Sequence, residues 1–584
     1  MDGRLSLFKI FQLTIGIFAL ISLFLSYLYP FHLLPWVTFF NEWFFACFLL
    51  FAFVWIVSLG RVRLITFVPW LIVLGLVTLR VLVFGDLDPM PITLWVIFLC
   101  FGLMSWVAYV VGVNLSSGGW LKAVLFTLWL AAFASAVIAV MQWSGLLSKE
   151  YFEPGFLLFN NMGGRVSSNI GQANNLGTLL LVGIGVMCCA WYSAAKRNLL
   201  FCFLFFSIFL VFVFGIYVSG SRAAALNLMI WPVIAAVWCW WRAKPFPWLV
   251  LMPAAFLVVL YQLMPFAIEW LDLFPPQEAR SMISDANRPR MWLMVLSSVL
   301  ERPWIGHGFG AVANAHLRLS TEYGSFDYSI AHQAHNTILD MWVNFGVPLG
   351  SAIVGVFVFL LVKSWLAIKG EFDIFIFLMA CAIIVHGLLE FPLHYGFFAW
   401  LLFLFFGLMN CGNFGGRVIS GGVSNSIICL VFFVLPLIIF WQAYVRVESV
   451  YTLYRQQGPV AVQKLLKSDV IGYERFIFPE PYARLYWITL PMNELEQLTP
   501  DRVKEFEAVA KWYPLSVLGW RLAFVYAVKG DLHKMEWWGE RMCRMFDPRV
   551  CASAAEEWMR RGEENPKWPA LPWEKWLPAN AVKP

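Results

Sequence analysis

The sequence predicts an all-α polytopic membrane protein with about thirteen transmembrane helices, and three observations predict it. Of 584 residues, 61% are hydrophobic and only 13% charged, and the mean hydropathy is +0.73, which excludes an ordinary soluble chain. The apolar residues gather into runs long enough to cross a bilayer, for which roughly 20 residues are needed. Lys and Arg fall in every second short connection, the pattern of cytoplasmic loops.

The runs lie near 7–29, 36–58, 64–84, 92–113, 120–144, 173–193, 199–218, 223–241, 247–266, 336–362, 373–391, 395–410 and 425–445. The first follows Arg4 and Lys9 with no small-residue cleavage site behind it, so it reads as a retained helix. Arg61, Arg63, Lys122, Lys196, Arg197, Arg242, Lys244, Lys363, Lys369 and Arg417 mark the cytoplasmic loops, together with the N-terminus. The connections 30–35 and 85–91 carry no Lys or Arg, and the second holds Asp86 and Asp88. An odd number of spans then places the C-terminus outside the cytoplasm. The net charge of +6 is mostly topological, and no basic stripe points to nucleic acid.

Three segments break the pattern of short loops, all on the extracytoplasmic side: 145–172, 267–335 and the charged tail. The expected division is a transmembrane domain 1–446 carrying the two loops and an α-helical domain 447–584. The loop 145–172 is rich in Gly and Asn, with Asn160, Asn161, Gly163, Gly164 and Arg165 ahead of Gln172, Asn174 and Asn175. In the second loop, Met291, Trp292, Met294, Val295 and Val299 give an amphipathic pattern that predicts a helix over 291–300 near the membrane surface. The tail has helical periodicity over 500–513, 516–529 and 532–546, and the pair around Gly530-Asp531 reads as a tetratricopeptide-type hairpin. That hairpin is either a packing lid or a docking surface for a protein partner. Cys543 and Cys551, eight apart in an oxidising compartment, are expected to form a disulfide, whereas the other nine cysteines sit in or beside apolar runs as packing residues.

Ionisable residues inside spans are costly and point to function. Here they share one depth near the outer face: Arg80, Arg222 after Ser219-Gly220-Ser221, Asp340 below His335, and His386 with Glu390 four apart on one helix. A proton pump or cation channel would spread such groups into a path through the membrane; these form a one-sided bowl. Taken singly, each has a plainer reading. Arg80 and Arg222 are also what snorkelling gives, His386 and Glu390 what a structural bridge gives, and Asn174 and Asn175 what a helix cap gives. The plain readings do not explain why all share one face.

These residues resemble the O-antigen ligase superfamily and, within it, the bacterial O-oligosaccharyltransferases of the PglL type. The strongest match is His335-Asn336 followed by Leu339, Gly346 and Gly350. Supporting matches are Gln172-Ala173-Asn174-Asn175, Ser219-Gly220-Ser221-Arg222, Arg290-Met291-Trp292 with Pro303-Trp304-Ile305-Gly306-His307-Gly308, and Glu390-Phe391-Pro392 with Tyr395. Two departures are that Ala173 stands where relatives carry Pro, and that His394 precedes Tyr395.

The resemblance implies a GT-C-like membrane fold in a bacterial inner membrane, with the active site and the C-terminal domain in the periplasm. It also implies transfer of an oligosaccharide from undecaprenyl diphosphate to Ser or Thr of an exported protein such as a pilin. The chemistry asks for guanidinium groups on the leaving diphosphate, because they stay ionised and bind phosphate in a forked geometry. Arg222 and Arg290 are the candidates, with Arg80 a third. An imidazole titrates near neutral pH, so His335 can orient or deprotonate the incoming hydroxyl. Gln172, Asn174, Asn175, Asn336, Glu390 and Tyr395 are candidates for binding substrate. Apart from the pair Asp86 and Asp88, no cluster of exposed carboxylates favours a divalent cation, and the spacing of His332 and His335 lacks a third zinc ligand, so no metal or cofactor is expected. The nearest rival is a lipopolysaccharide O-antigen ligase, the same chemistry on a lipid A-core acceptor. A transporter or lipid flippase would show inverted repeats, and the Gly-rich 160–177 pattern has no second copy.

Overall fold

The computed structural model describes residues 2–32, 34–64, 68–84, 89–115, 119–146, 165–271, 287–410, 417–420, 423–468, 479–565 and 568–576. Asp86, Asp88, Asn160, Asn161, Gly163 and Gly164 lie outside the described residues.

Each apolar run is a helix. In chain order they are α1 (Asp2–Leu28), α2 (Phe39–Ser58), α3 (Val68–Val83), α4 (Pro89–Leu115), α5 (Gly119–Trp143), α6 (Ala173–Ser193), α7 (Leu199–Ser219), α8 (Arg222–Arg242) and α9 (Met252–Leu271). Two helices of the long loop follow, α10 (Asn287–Glu301) and α11 (Ala311–Tyr323), then α12 (Thr337–Ala367), α13 (Glu371–Leu389), α14 (Gly396–Met409) and α15 (Val423–Ser468). The tail adds α16 (Pro479–Thr489), α17 (Met492–Glu496), α18 (Pro500–Trp512), α19 (Ser516–Val528), α20 (Leu532–Met545), α21 (Pro548–Glu564) and α22 (Trp573–Trp576).

Eleven helices among the described residues are long and apolar enough to cross a membrane, against the thirteen expected. The other two runs, 64–84 and 395–410, form the shorter apolar helices α3 and α14. With 14 residues, α14 is about 21 Å long, short of the roughly 30 Å hydrocarbon layer. Hydropathy reports how apolar a run is and cannot tell where the helix inside it stops. Two of the basic connections also hold a feature that hydropathy does not register: Arg61–Leu64 and Arg417–Ser420 pair as an antiparallel ribbon, Arg61 opposite Ser420.

Two compact units are interleaved along the chain. One comprises Met1–Leu74, Leu99–Ser284 and Gly355–Trp441, and the other Gly75–Phe98, Asp285–Val354 and Gln442–Pro584. In the first, α6 is wrapped by α5, α7, α8 and α13, and its residues are buried almost throughout, from Ala173 to Cys189. In the second, the tail helices and α11 share one core. Leu317 of α11 is buried with Trp487, Phe506, Leu522 and Trp538, and Trp512 packs against Gly310. The tail is therefore built around a helix of the 267–335 loop. A disulfide joins Cys543 to Cys551 across the turn from α20 to α21.

Candidate active site

In the first unit, the Ser219-Gly220-Ser221-Arg222 segment is a helix-to-helix corner. Gly220 closes α7 in the left-handed conformation (φ 58°), and Ser221 caps α8 by accepting the Ala224 N–H at 3.3 Å. Arg222 is thereby the first residue of α8 and half-buried. Arg165, quoted in the sequence only as part of an amide-rich loop, turns out to organise this corner. Its Nε donates to the Ser219 carbonyl at 3.0 Å and a terminal nitrogen to the Gly220 carbonyl at 3.0 Å, which places a cation on the exposed carbonyls at the end of α7.

The same guanidinium donates to Asn174 Oδ1 at 2.9 Å, and Asn174 Nδ2 donates to Glu390 Oε1 at 3.0 Å. Asn174 is thus a bridge between a cation and a buried carboxylate rather than a cap. The capping position belongs to Gln172, whose side chain makes no capping bond. Asn175 is buried, and its Oδ1 and the Oε1 of Gln172 have no hydrogen-bond partner among the described residues. A turn further along α6, Thr178 Oγ1 lies 2.8 Å from His386 Nδ1. His386 and Glu390 therefore both reach α6, one turn apart.

Tyr395 ends the short turn after Glu390, and its ring lies against Phe397 (centroids 5.5 Å apart) and Phe391 (5.6 Å). One face is stacked on Phe397 and so is taken by the protein. Glu42 of α2, a buried carboxyl that the sequence reading passed over, accepts a hydrogen bond from Thr38 Oγ1 at 2.9 Å. One acid among twenty mostly apolar residues of α2 is averaged away by hydropathy; the rule that intramembrane acids point to function would have found it.

In the second unit, His335 sits at the start of α12 with φ 52°, a left-handed conformation that costs a residue with a Cβ. Its neighbours hold it there. Ala334 donates its N–H to Asp340 Oδ1 at 2.8 Å and accepts Trp292 Nε1 at 2.9 Å, while Asn336 Oδ1 caps α12 by accepting the N–H groups of Ile338 (3.0 Å) and Leu339 (3.2 Å). Asn336 is a cap, and Asp340 fixes the backbone one residue before the histidine.

Arg290 is exposed near the start of α10. It donates to Asn287 Oδ1 at 3.0 Å and to the Ser325 carbonyl, and lies over the Phe326 ring at 5.1 Å. Phe326 in turn packs on His316 (4.9 Å), a fully buried imidazole. His316 Nδ1 accepts the Ala331 N–H at 3.2 Å, so Nε2 carries the proton and donates to the Gly324 carbonyl at 3.0 Å. Burial, set against the Gly324 bond, pushes its pKa down to about 4. The neutral ring ties together the two ends of the 324–331 loop on which Arg290 rests. Arg80 is buried and donates from Nε to the Ile305 carbonyl at 3.1 Å, supporting the Pro303–Gly308 turn.

The sequence candidates thus divide between the units: Gln172, Asn174, Asn175, Arg222, Glu390 and Tyr395 in one, Arg80, Arg290, His335 and Asn336 in the other. Among the described residues no group of three His, Cys, Asp or Glu side chains is placed to hold a metal ion.

A family model described as O-antigen ligase matches residues 207–354, the stretch that holds Arg222, Arg290, His335 and Asn336. A second, described as the C-terminal part of a virulence factor membrane-bound polymerase, matches 374–556. The chain is 26% identical over 508 residues to a general O-oligosaccharyltransferase of Acinetobacter baylyi, covering 82% of this chain and 84% of that one. Residues 207–354 of the chain are thus similar to the O-antigen ligase family. A ComP-specific O-oligosaccharyltransferase of the same organism is 25% identical over 288 residues, and that match spans 48% of each chain, about half the relative's length. The second match runs from α13 into α21, so apolar helices and tail fall within one family model.

Proposed function

We propose that this protein is an O-linked oligosaccharyltransferase that moves a glycan from undecaprenyl diphosphate to Ser or Thr of exported proteins such as pilins. The observation that carries the reading is the likeness to two O-oligosaccharyltransferases, one of them along 82% of the chain. The reaction forms a bond from the acceptor oxygen to the anomeric carbon and breaks the bond from that carbon to the diphosphate oxygen. His335 orients the hydroxyl and takes its proton, and Arg222 and Arg290 meet the charge that builds on the leaving diphosphate. The exposure of Arg290 and its seat on Phe326 suit this role. Asn174, Glu390 and the phenol edge of Tyr395 contact sugar hydroxyls, with Gln172 and Asn175 supplying amide oxygens.

The protein acts in the bacterial inner membrane, with the candidate site and tail periplasmic; the Cys543–Cys551 disulfide supports an oxidising location for the tail. The tail docks the acceptor, and no metal takes part. A second reading, ligation of O-antigen to a lipid A-core acceptor, is favoured by the family description itself. Co-expression with a lipid-linked glycan pathway and candidate pilins, followed by intact-mass measurement, tests the proposal. A pilin heavier by one glycan supports it, and unmodified pilin with modified lipopolysaccharide favours the second reading.

A further inference from the structure

Helix α10 has two apolar faces. The one read from the sequence, Met291, Met294, Val295 and Val299, is buried against Val312, Phe326, Ala334 and Val343, so it belongs to a protein core and not to a membrane surface. The opposite face is also apolar. Leu293, Leu296 and Leu300 are 58%, 38% and 70% exposed, and Trp304 beyond the helix end is 77% exposed. At about 100° per residue the three leucines fall within one narrow stripe, and Trp304 continues the exposed apolar surface past the helix end.

We propose that this second stripe seats α10 in the interface of an anionic phospholipid leaflet, with Leu293, Leu296, Leu300 and Trp304 among the acyl chains. Two observations identify the bilayer as the occupant. The first is depth. The turn at the end of α10 is held between membrane-helix segments of its own unit: a Cβ on Gly346, inside the Thr337–Ala367 span, would lie 2.5 Å from the Trp304 carbonyl. Phe309 packs on Phe98 of the Leu94–Leu115 span at 5.8 Å, and Arg80 of α3 donates to Ile305 O. A helix whose end is fixed at that level carries its exposed face into lipid, and tryptophan favours that boundary. The second is charge. Arg288 and Arg290 open the helix and Arg302 follows it, while the one acid, Glu301, is paired with Arg318. An apolar stripe with cationic ends matches acyl chains below anionic headgroups. The seating would set Arg290 at phosphate level, and it stands whether or not the transferase reading does.

A diazirine-bearing leucine analogue tests this, because it alters the side chain too little to threaten folding. It is placed singly at 293, 296 or 300 in the full-length protein, in vesicles of phosphatidylethanolamine and phosphatidylglycerol, and irradiated before intact-mass measurement. Phospholipid adducts are expected at all three positions, as at Leu13, 63% exposed on the α1 span, and not at Leu532, 51% exposed in the tail. Adducts at Leu13 with none at 293, 296 and 300 would overturn the proposal, as would equal labelling of Leu532.

Discussion

Gly306 and Gly346 meet backbone to backbone: a Cβ built on Gly306 would fall 2.5 Å from the Gly346 nitrogen. The contact is reinforced by hydrogen bonds from His307 N to Val343 O (2.8 Å), Gly308 N to Asn344 O (3.0 Å) and Val347 N to Pro303 O (2.7 Å). It breaks α12 at Gly346 (φ 79°), leaving a short first segment that begins just after His335. Both glycines have positive φ, so each is required by space and by backbone conformation together. Gly306→Ala and Gly346→Ala should each destabilise the protein by more than about 2 kcal/mol and abolish transfer. Gly355→Ala, which meets no atom within 4 Å, should be silent in thermal unfolding of the purified protein.

His335→Ala should eliminate transfer while accumulation in the membrane is unchanged, because the side chain lies at a half-buried helix start rather than in a core. Arg222→Lys and Arg290→Lys keep the charge but lose the fork. Each should lower transfer by roughly 10- to 100-fold, the worth of one charge-assisted hydrogen bond. Quantifying glycosylated acceptor from matched membrane amounts checks all three, and full activity in both arginine variants would move the diphosphate elsewhere.

Asn174→Ala removes a bond from buried Glu390 and one from Arg165 at the same time. The expected loss is about 1–3 kcal/mol of stability, with reduced transfer. A double-mutant cycle with Arg165→Ala should be far from additive, since both changes break one chain of contacts. Additive losses would show that Arg165 acts only on the α7 carbonyls.

His316 gives a pH dependence of known sign. Its pKa is lowered from the ordinary 6.5 to about 4, so the unfolded loop takes up a proton first as pH falls. Protection of the 324–331 segment should hold above pH about 6.5 and weaken between there and pH about 4, by up to ~3 kcal/mol. Hydrogen exchange at several pH values reads this directly. His316→Gln, which keeps one donor and one acceptor but cannot ionise in this range, should flatten the profile.

What the sequence made legible follows from the range of the physics involved. The spans were readable because a bilayer imposes a length rule on contiguous residues. Asn336 and Ser221 stood out only as members of short motifs; that each caps a helix emerged from the structure. The Asn174–Glu390 bridge joins residues 216 apart in sequence and the Gly306–Gly346 contact joins residues 40 apart; neither leaves a local pattern. For the same reason the amphipathic pattern of α10 gave the helix but not what covers each face. That Leu317 of α11 belongs to the core of the tail is likewise invisible to periodicity, which shows that a face is buried without naming its partner.

The central claim, transfer of glycan to a protein acceptor, is tested most directly with the purified protein in vesicles holding undecaprenyl-diphosphate oligosaccharide. A pilin and a lipid A-core acceptor are offered together, in the presence of chelator, and the mass of each product is measured. The account predicts that the pilin alone gains one glycan and that the His335→Ala protein yields none. Exclusive modification of the lipid acceptor, or transfer restored only by a divalent ion, would contradict it.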